Sequence, residues 1–343
     1  MPAFFSMLSL SIILALVVSS TLGAKELHAV QSDRKLKSHE HTVAHTHGQG
    51  TTMEKRQRGG RNSLSQRCKP KPSALISPTS TSTTATTSTP QSSPTPAAVP
   101  STEAKKWGLA WPNGDASYLA NFARPKVRYL YTWSPYIPPT CAPLGLVGIP
   151  MLWGWNQVEE FKRLVVAGYA THVLGMNEPN EPSQSNMSPQ DGASLWKQYI
   201  DPLKAQGYYL ISPACTNDQA GLDWMKGFFE ACNGCTIDAV AFHFYGTDPK
   251  ALISHATTLH DAYNKPIWIT EFADQNFSGA GGQASMDEIY AFQPVVTRFV
   301  DETPWVEAAF PFGVMYDLQG VNEGNALLKG DGQLTSLAYN YFG

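Results

Sequence analysis

From residue 106 onward the chain alternates short apolar runs with longer segments of mixed polarity. Eight runs rich in aliphatic and aromatic residues recur at 106–111, 127–133, 148–153, 171–176, 208–213, 239–245, 266–271 and 308–313. Apolar runs of this length between turn residues read as buried strands. The intervening segments carry helix signals. Asn156 to Gly168 has acids early, the Lys162-Arg163 pair later and a glycine at its end, the charge order that complements a helix dipole. Ser188-Pro189 is an N-cap followed by proline at the first helical position, and this helix is expected to run to Gln206-Gly207. Further helices are expected at 218–231, 249–263 and 285–301. Strands alternating with helices imply parallel βα units, and eight of them in about 240 residues predict a (β/α)8 TIM barrel. A doubly wound open sheet is the rival, but no glycine-rich phosphate loop follows the first run.

The first hundred residues lack this alternation and divide into three zones. Residues 1–24 hold an apolar stretch at 4–17 followed by small residues through Ala24, the length of a signal-peptide core rather than of a membrane span. The expected destination is therefore secreted, either extracellular or in the cell wall, with no membrane anchor. Residues 25–71 form a polar lead with His39, His41, His45 and His47, then a basic stretch containing the dibasic pair Lys55-Arg56. From 72 to 102 no residue is charged and 23 of 31 are Ser, Thr or Pro; such a segment cannot bury a core and reads as an O-glycosylated linker. The catalytic domain is expected over 103–343, as a monomer.

A formal net charge of −3 leaves no basic face of the kind nucleic acid requires. Of the five cysteines, Cys68 lies in the lead. Cys141, Cys215, Cys232 and Cys235 allow three pairings that sequence does not rank. In a secreted chain, Cys232-Asn-Gly-Cys235 reads as a structural disulfide in preference to a redox or zinc motif.

In a (β/α)8 barrel the active site forms at the C-terminal strand ends. Those ends carry Trp111, Trp133, Trp153 with Trp155, Asn177-Glu178, Cys215, His243 with Tyr245, Glu271, and Phe310 with Phe312. A carboxylate just past a buried strand is costly unless it has a task. Here there are two, Glu178 and Glu271, amid aromatic residues. Flat sugar faces stack on such rings, and two facing carboxyls can cleave a glycosidic bond. Trp111, Trp133, Trp153, Trp155 and Phe312 are the candidate sugar platforms. Asn177 is placed to hydrogen-bond the sugar 2-hydroxyl. His243 and Tyr245 share one strand face, with Tyr245 aimed at Glu271 and His243 at substrate or Glu178. Glu271 shares a face with Ile267 and Ile269, which are expected to point inward. Glu181 is the rival carboxylate in the loop after Glu178. No metal constellation appears, and this chemistry needs no cofactor.

The segments Leu174-Gly-Met-Asn-Glu-Pro-Asn, Ala241-Phe-His-Phe-Tyr and Ile269-Thr-Glu-Phe-Ala resemble glycoside hydrolase family 128, the alkali-sensitive-linkage-protein-like glycosyl hydrolases of fungi. The resemblance spans about 106–343. It implies an endo-β-1,3-glucanase acting on β-glucan, with Glu178 as general acid/base and Glu271 as nucleophile. A retaining enzyme needs its carboxyls about 5–5.5 Å apart, one protonated and one ionised. Glu178 is expected to be the protonated one, because Met176 and Pro179 offer little to stabilise charge. Activity on another β-glycan, transglycosylation, or non-catalytic wall binding are the alternatives. Asn186-Met-Ser188 and Asn276-Phe-Ser278 are N-glycosylation sequons near the expected cleft rim.

Overall fold

The computed structural model describes residues 105–343. The signal peptide, the His-rich and basic lead with Cys68, and the Ser/Thr/Pro linker lie outside the described residues.

All eight apolar runs form parallel strands: β1 (Trp107–Ala110), β2 (Val127–Tyr131), β3 (Val147–Ile149), β4 (His172–Leu174), β5 (Tyr209–Cys215), β6 (Ala239–Tyr245), β7 (Ile267–Ala273) and β8 (Val306–Pro311). They pair in the order β3-β2-β1-β8-β7-β6-β5-β4. The β3–β4 seam is joined by an isolated parallel bridge, Met151 to Leu174, with Leu152 N donating to Leu174 O at 3.1 Å. The sheet so becomes a barrel, as expected.

The helices are α1 (Leu119–Phe122), α2 (Val158–Leu164), α3 (Pro189–Leu195), α4 (Gln219–Ala231), α5 (Pro249–Tyr263), α6 (Met286–Glu302) and α7 (Ser336–Phe342). Their ends follow the capping signals: Asp218 accepts from Gly221 N, and Ser285 with Glu288 forms a capping box. The helix expected at 188–207 differs in kind. After Leu195 it widens to a π-helical turn over Trp196–Ile200 and then tightens to a 3-10 stretch over Asp201–Gln206, ending at left-handed Gly207. Pro202 explains the change, since it has no N–H to continue an α ladder. No helix among the described residues is long and apolar enough to cross a membrane.

Two layers of side chains make the core. Inside the barrel lie Tyr129, Tyr131, Ile149, Leu174, Ile211, Ala241, Trp268 and Phe310. Gly108 leaves room for Phe310, whose ring would stand 2.1 Å from a Cβ at that position. Outside, Val240, Phe242, Phe244, Ile267 and Ile269 pack under the helices. Ile267 and Ile269 thus point outward, the reverse of the expectation. Plain alternation would then send Glu271 outward as well. A register shift prevents this: Phe242 pairs with Ile269 and His243 with Glu271, so Thr270 is the extra residue. This bulge carries Glu271 to the barrel's inner face, the re-aiming for which bulges beside active sites are used.

Among the described cysteines, Cys232 and Cys235 form a disulfide, the pairing that sequence left open, while Cys141 and Cys215 are buried free thiols.

Candidate active site

Glu271 is buried and surrounded by donors. Trp133 Nε1 donates to its Oε1 at 2.7 Å and the Tyr245 hydroxyl to its Oε2 at 2.6 Å. The Tyr131 hydroxyl donates to Thr270 O at 2.9 Å and stands 3.4 Å from Glu271 Oε1. Burial pushes the Glu271 carboxyl above its ordinary range, with the Glu178 charge adding to the rise. His243 and the hydrogen bonds from Tyr245 and Trp133 pull it back. Burial, then the Glu271 charge, drive the pKa of both Tyr131 and Tyr245 well up, so both remain phenol donors.

Trp133 reaches Glu271 from an unusual backbone, with φ of 52°. A bulky residue in the left-handed region costs about 1–3 kcal/mol and persists only where its surroundings enforce it. Gln157 is one such enforcer. Its Nε2 donates to Trp133 O at 3.0 Å, while its Oε1 accepts from Trp153 N at 3.2 Å. Trp153 O in turn accepts from Asn177 N at 3.1 Å. The Gln157 amide therefore ties the loop after β2 to the loop after β3, and the bond from Asn177 N to Trp153 O carries the link across the β3–β4 seam to the residue before Glu178.

Glu178 is also buried and also left-handed, at φ 39°. Its backbone N donates to Ala214 O at 2.8 Å, and Asn177 bridges to the same strand. His243 Nδ1 lies 2.7 Å from Glu178 Oε1, and its Nε2 is 3.5 Å from Glu271 Oε1. Burial opposes charge on His243, but Glu271 and the hydrogen bond to Glu178 outweigh it, and its pKa rises. This corrects one expectation: Glu178 does have a partner that stabilises charge. Of the two options for His243 it contacts Glu178, and Tyr245 meets Glu271 as expected. Glu178, His243 and Glu271 each offer one polar atom within 4.8 Å of the others. That group alone among the described residues has metal-binding geometry, although the His243 hydrogen bond to Glu178 and its approach to Glu271 account for the same spacing. Glu181 instead accepts from Asn180 Nδ2 at 3.2 Å.

The other candidates separate into four sets. Asn177 lies in the site: its Nδ2 donates to Gln184 Oε1 at 3.2 Å, and its buried Oδ1 has no protein partner. Trp133 and Phe312 pack on each other at the mouth. Trp153 is half-buried and Trp155 is 47% exposed. Trp111 is not a platform. It is fully buried against Tyr118 and Phe122, with Nε1 donating to Gly114 O, so neither ring face is open to a sugar. Sequence reasoning missed Tyr131, Gln157 and Phe277. Tyr131 could have been found from its position, two residues before Trp133 on the inner face. Gln157 and Phe277 carry no local signal.

Residues 108–341 match the family profile described as glycosyl hydrolase catalytic core. Alkali-sensitive linkage protein 1 of Schizosaccharomyces pombe is 33% identical over 250 residues, covering 70% of this chain. The chain spans about half, 45%, of that relative's length. A family 128 curdlan-specific exo-β-1,3-glucanase from Blastomyces gilchristii, solved with glucose, superposes with a TM-score of 0.58 at 29% identity, over 70% of this chain and 99% of that one. A family 128 endo-β-1,3-glucanase from Sorangium cellulosum gives a TM-score of 0.60 at 27% identity, over 69% and 97%. The chain belongs to glycoside hydrolase family 128. The family also includes an oligosaccharide-binding protein from Trichoderma gamsii, which shares the fold at 23% identity, with a TM-score of 0.58 over 69% and 92%. In this family 128 protein the paired carboxylates Glu178 and Glu271 both lie within the matched region, at the C-terminal ends of the strands.

Proposed function

We propose that this protein is a secreted endo-β-1,3-glucanase that acts with retention of configuration. The observation that carries the mechanism is the carboxylate spacing, with facing oxygens of Glu178 and Glu271 within 4.8 Å. That distance suits direct attack and leaves little room for the water an inverting enzyme places between its carboxyls. In the first step a Glu271 oxygen attacks the anomeric carbon while Glu178 gives its proton to the departing glucosyl oxygen. In the second, water attacks the glycosyl-enzyme and Glu178 takes its proton back. Hydrogen bonds from Trp133 and Tyr245 favour the ionised form of the nucleophile and aim it, and His243 orients Glu178. The free Asn177 Oδ1 is suited to accept from the sugar 2-hydroxyl.

The β-1,3-glucan preference rests on the relatives' named activities. Endo action is supported by exposed rings on opposite sides of the mouth: Trp155 follows β3, while Phe277, 60% exposed, follows β7. Such a cleft can take a chain passing through it. Secretion rests on the apolar N-terminal segment.

The test is hydrolysis of linear β-1,3-glucan by the full chain, with proton NMR of the first products and Glu271→Gln alongside. Internal cleavage, early β-anomer release and a loss of about three orders of magnitude or more in the variant are expected. Glucose released one unit at a time would replace endo by exo action. Early α-anomer would overturn retention. Binding of the glucan without cleavage would place the protein with the family's oligosaccharide-binding members, and transfer to added glucan would make it a transglycosylase.

A further inference from the structure

We infer that Phe277 is a carbohydrate-stacking platform, a glucosyl subsite one ring outward from the nucleophile; the inference rests on the glucanase reading and deepens it. Four rings form a line along the mouth. Trp133 and Phe312 have centroids 6.2 Å apart, Phe312 and Tyr245 5.8 Å, and Tyr245 and Phe277 5.4 Å. The first three are committed: Trp133 and Tyr245 hold Glu271, and Phe312 is buried. Phe277 is the most exposed of the four rings, at 60%.

The loop bearing it is rigid by its own wiring. Asn276 Nδ2 donates to Ala280 O at 2.6 Å and to Gly282 O at 2.8 Å, and its Oδ1 accepts from Ser278 N at 2.9 Å. Gln283 closes the base by pairing its amide with both backbone groups of Asn276, at 3.0 and 2.8 Å. A polar loop that holds a ring mostly in water, with one aromatic contact to Tyr245, gains little for the fold from that ring, since exposed aromatic surface is unfavourable. It does supply a preformed face, so that ligand stacking requires little ordering of the protein. The ligand class follows from position. Phe277 touches the tyrosine bonded to the nucleophile, so what lies on it is a sugar ring next to the bond being cleaved. The same wiring opposes a glycan at the Asn276 sequon, because the Nδ2 that would carry it is already donating twice.

The deciding experiment is calorimetric titration of the full chain carrying Glu271→Gln with β-1,3-linked glucose oligosaccharides of increasing length. Adding Phe277→Ala should weaken binding about tenfold, the worth of one aromatic contact, for oligomers long enough to reach it. Phe277→Trp should retain or improve affinity. Equal affinity in the Phe277→Ala and parent proteins would overturn the inference. So would a shifted pH profile of hydrolysis in the Phe277→Ala protein with Glu271 intact, alongside unchanged affinity in the titration, which would make Phe277 a cover for Tyr245. If the parent protein binds no β-1,3-linked oligosaccharide, the glucanase reading itself fails and the subsite with it.

Discussion

The two glutamates sit in unlike halves of one barrel. Glu271 lies on β7, seven residues long and paired along its length with β6, also seven residues. Glu178 lies beyond β4, three residues long, beside a β3 of three residues and a seam joined by an isolated bridge. Strand pairing alone positions the first glutamate, apart from one bulge. The second depends on backbone bonds to Ala214, on His243 and on the bond from Asn177 N to Trp153 O across the seam, with Gln157 tying Trp153 to the Trp133 loop behind it. Under the proposed mechanism, a continuous ladder suits the group that bonds to carbon at fixed geometry. A loop then suits the group that serves first the leaving oxygen and afterwards a water.

The comparison is broken most directly at Tyr245. Tyr245→Phe removes a charge-assisted bond from the rigidly held carboxylate, a loss of about ten- to a hundredfold in kcat/KM. The sign of the pH effect follows from the Glu271 environment. Burial already raises that pKa and the phenol lowers it, so without the phenol the acidic limb of the kcat/KM profile should move to higher pH. An unmoved limb would show that Tyr245 does not tune Glu271.

A smaller effect should come from the seam. Gln157→Met keeps the side-chain volume and removes both hydrogen bonds, and is expected to lower kcat by about three- to tenfold. The acidic limb should shift in the same direction, because Trp133 loses part of its constraint. Gln157→Glu separates the two bonds, since it still accepts from Trp153 N but no longer donates to Trp133 O. Wild-type kinetics and pH profile in both variants would show that the thin half needs no link.

The smallest effect concerns stability alone. Asp274, just past the end of β7, is buried with Oδ1 unpartnered. Burial, with a lesser push from Glu288, raises its pKa from 3.8 to about 6. The folded state therefore favours the protonated form, and this contribution is complete below the unfolded value and is lost as pH rises through about 6. Asp274→Asn should raise Tm by a few degrees at neutral pH and leave it unchanged in acid below the unfolded pKa. A lower Tm at neutral pH would mean that the charge is used.

Much of this was legible in residue order, as two kinds of element show. The runs at 239–245 and 266–271 became β6 and β7, Ser188-Pro189 started a helix where its cap predicted, and the helix expected at 285–301 formed as Met286–Glu302. The glutamates stood out because a carboxylate at the end of an apolar strand is rare without a task. Trp111 looked like a platform because it ends a strand, but its strand-end position does not report that Tyr118 and Phe122 close over it. Ile267 and Ile269 looked inward-facing because period two was counted straight through Thr270.

Sequence by itself determined the barrel class, the eight strands, the family and the two glutamates, because these rest on local periodicity and on residue types at strand ends. Only the tertiary structure decided which way Glu271 faces, how Trp133 and Glu178 come to share left-handed backbones at one site, and which rings remain open to a ligand. A bulge is a mismatch with a neighbouring strand, and a ring's exposure depends on what distant loops place over it. Neither exists until the chain has closed on itself.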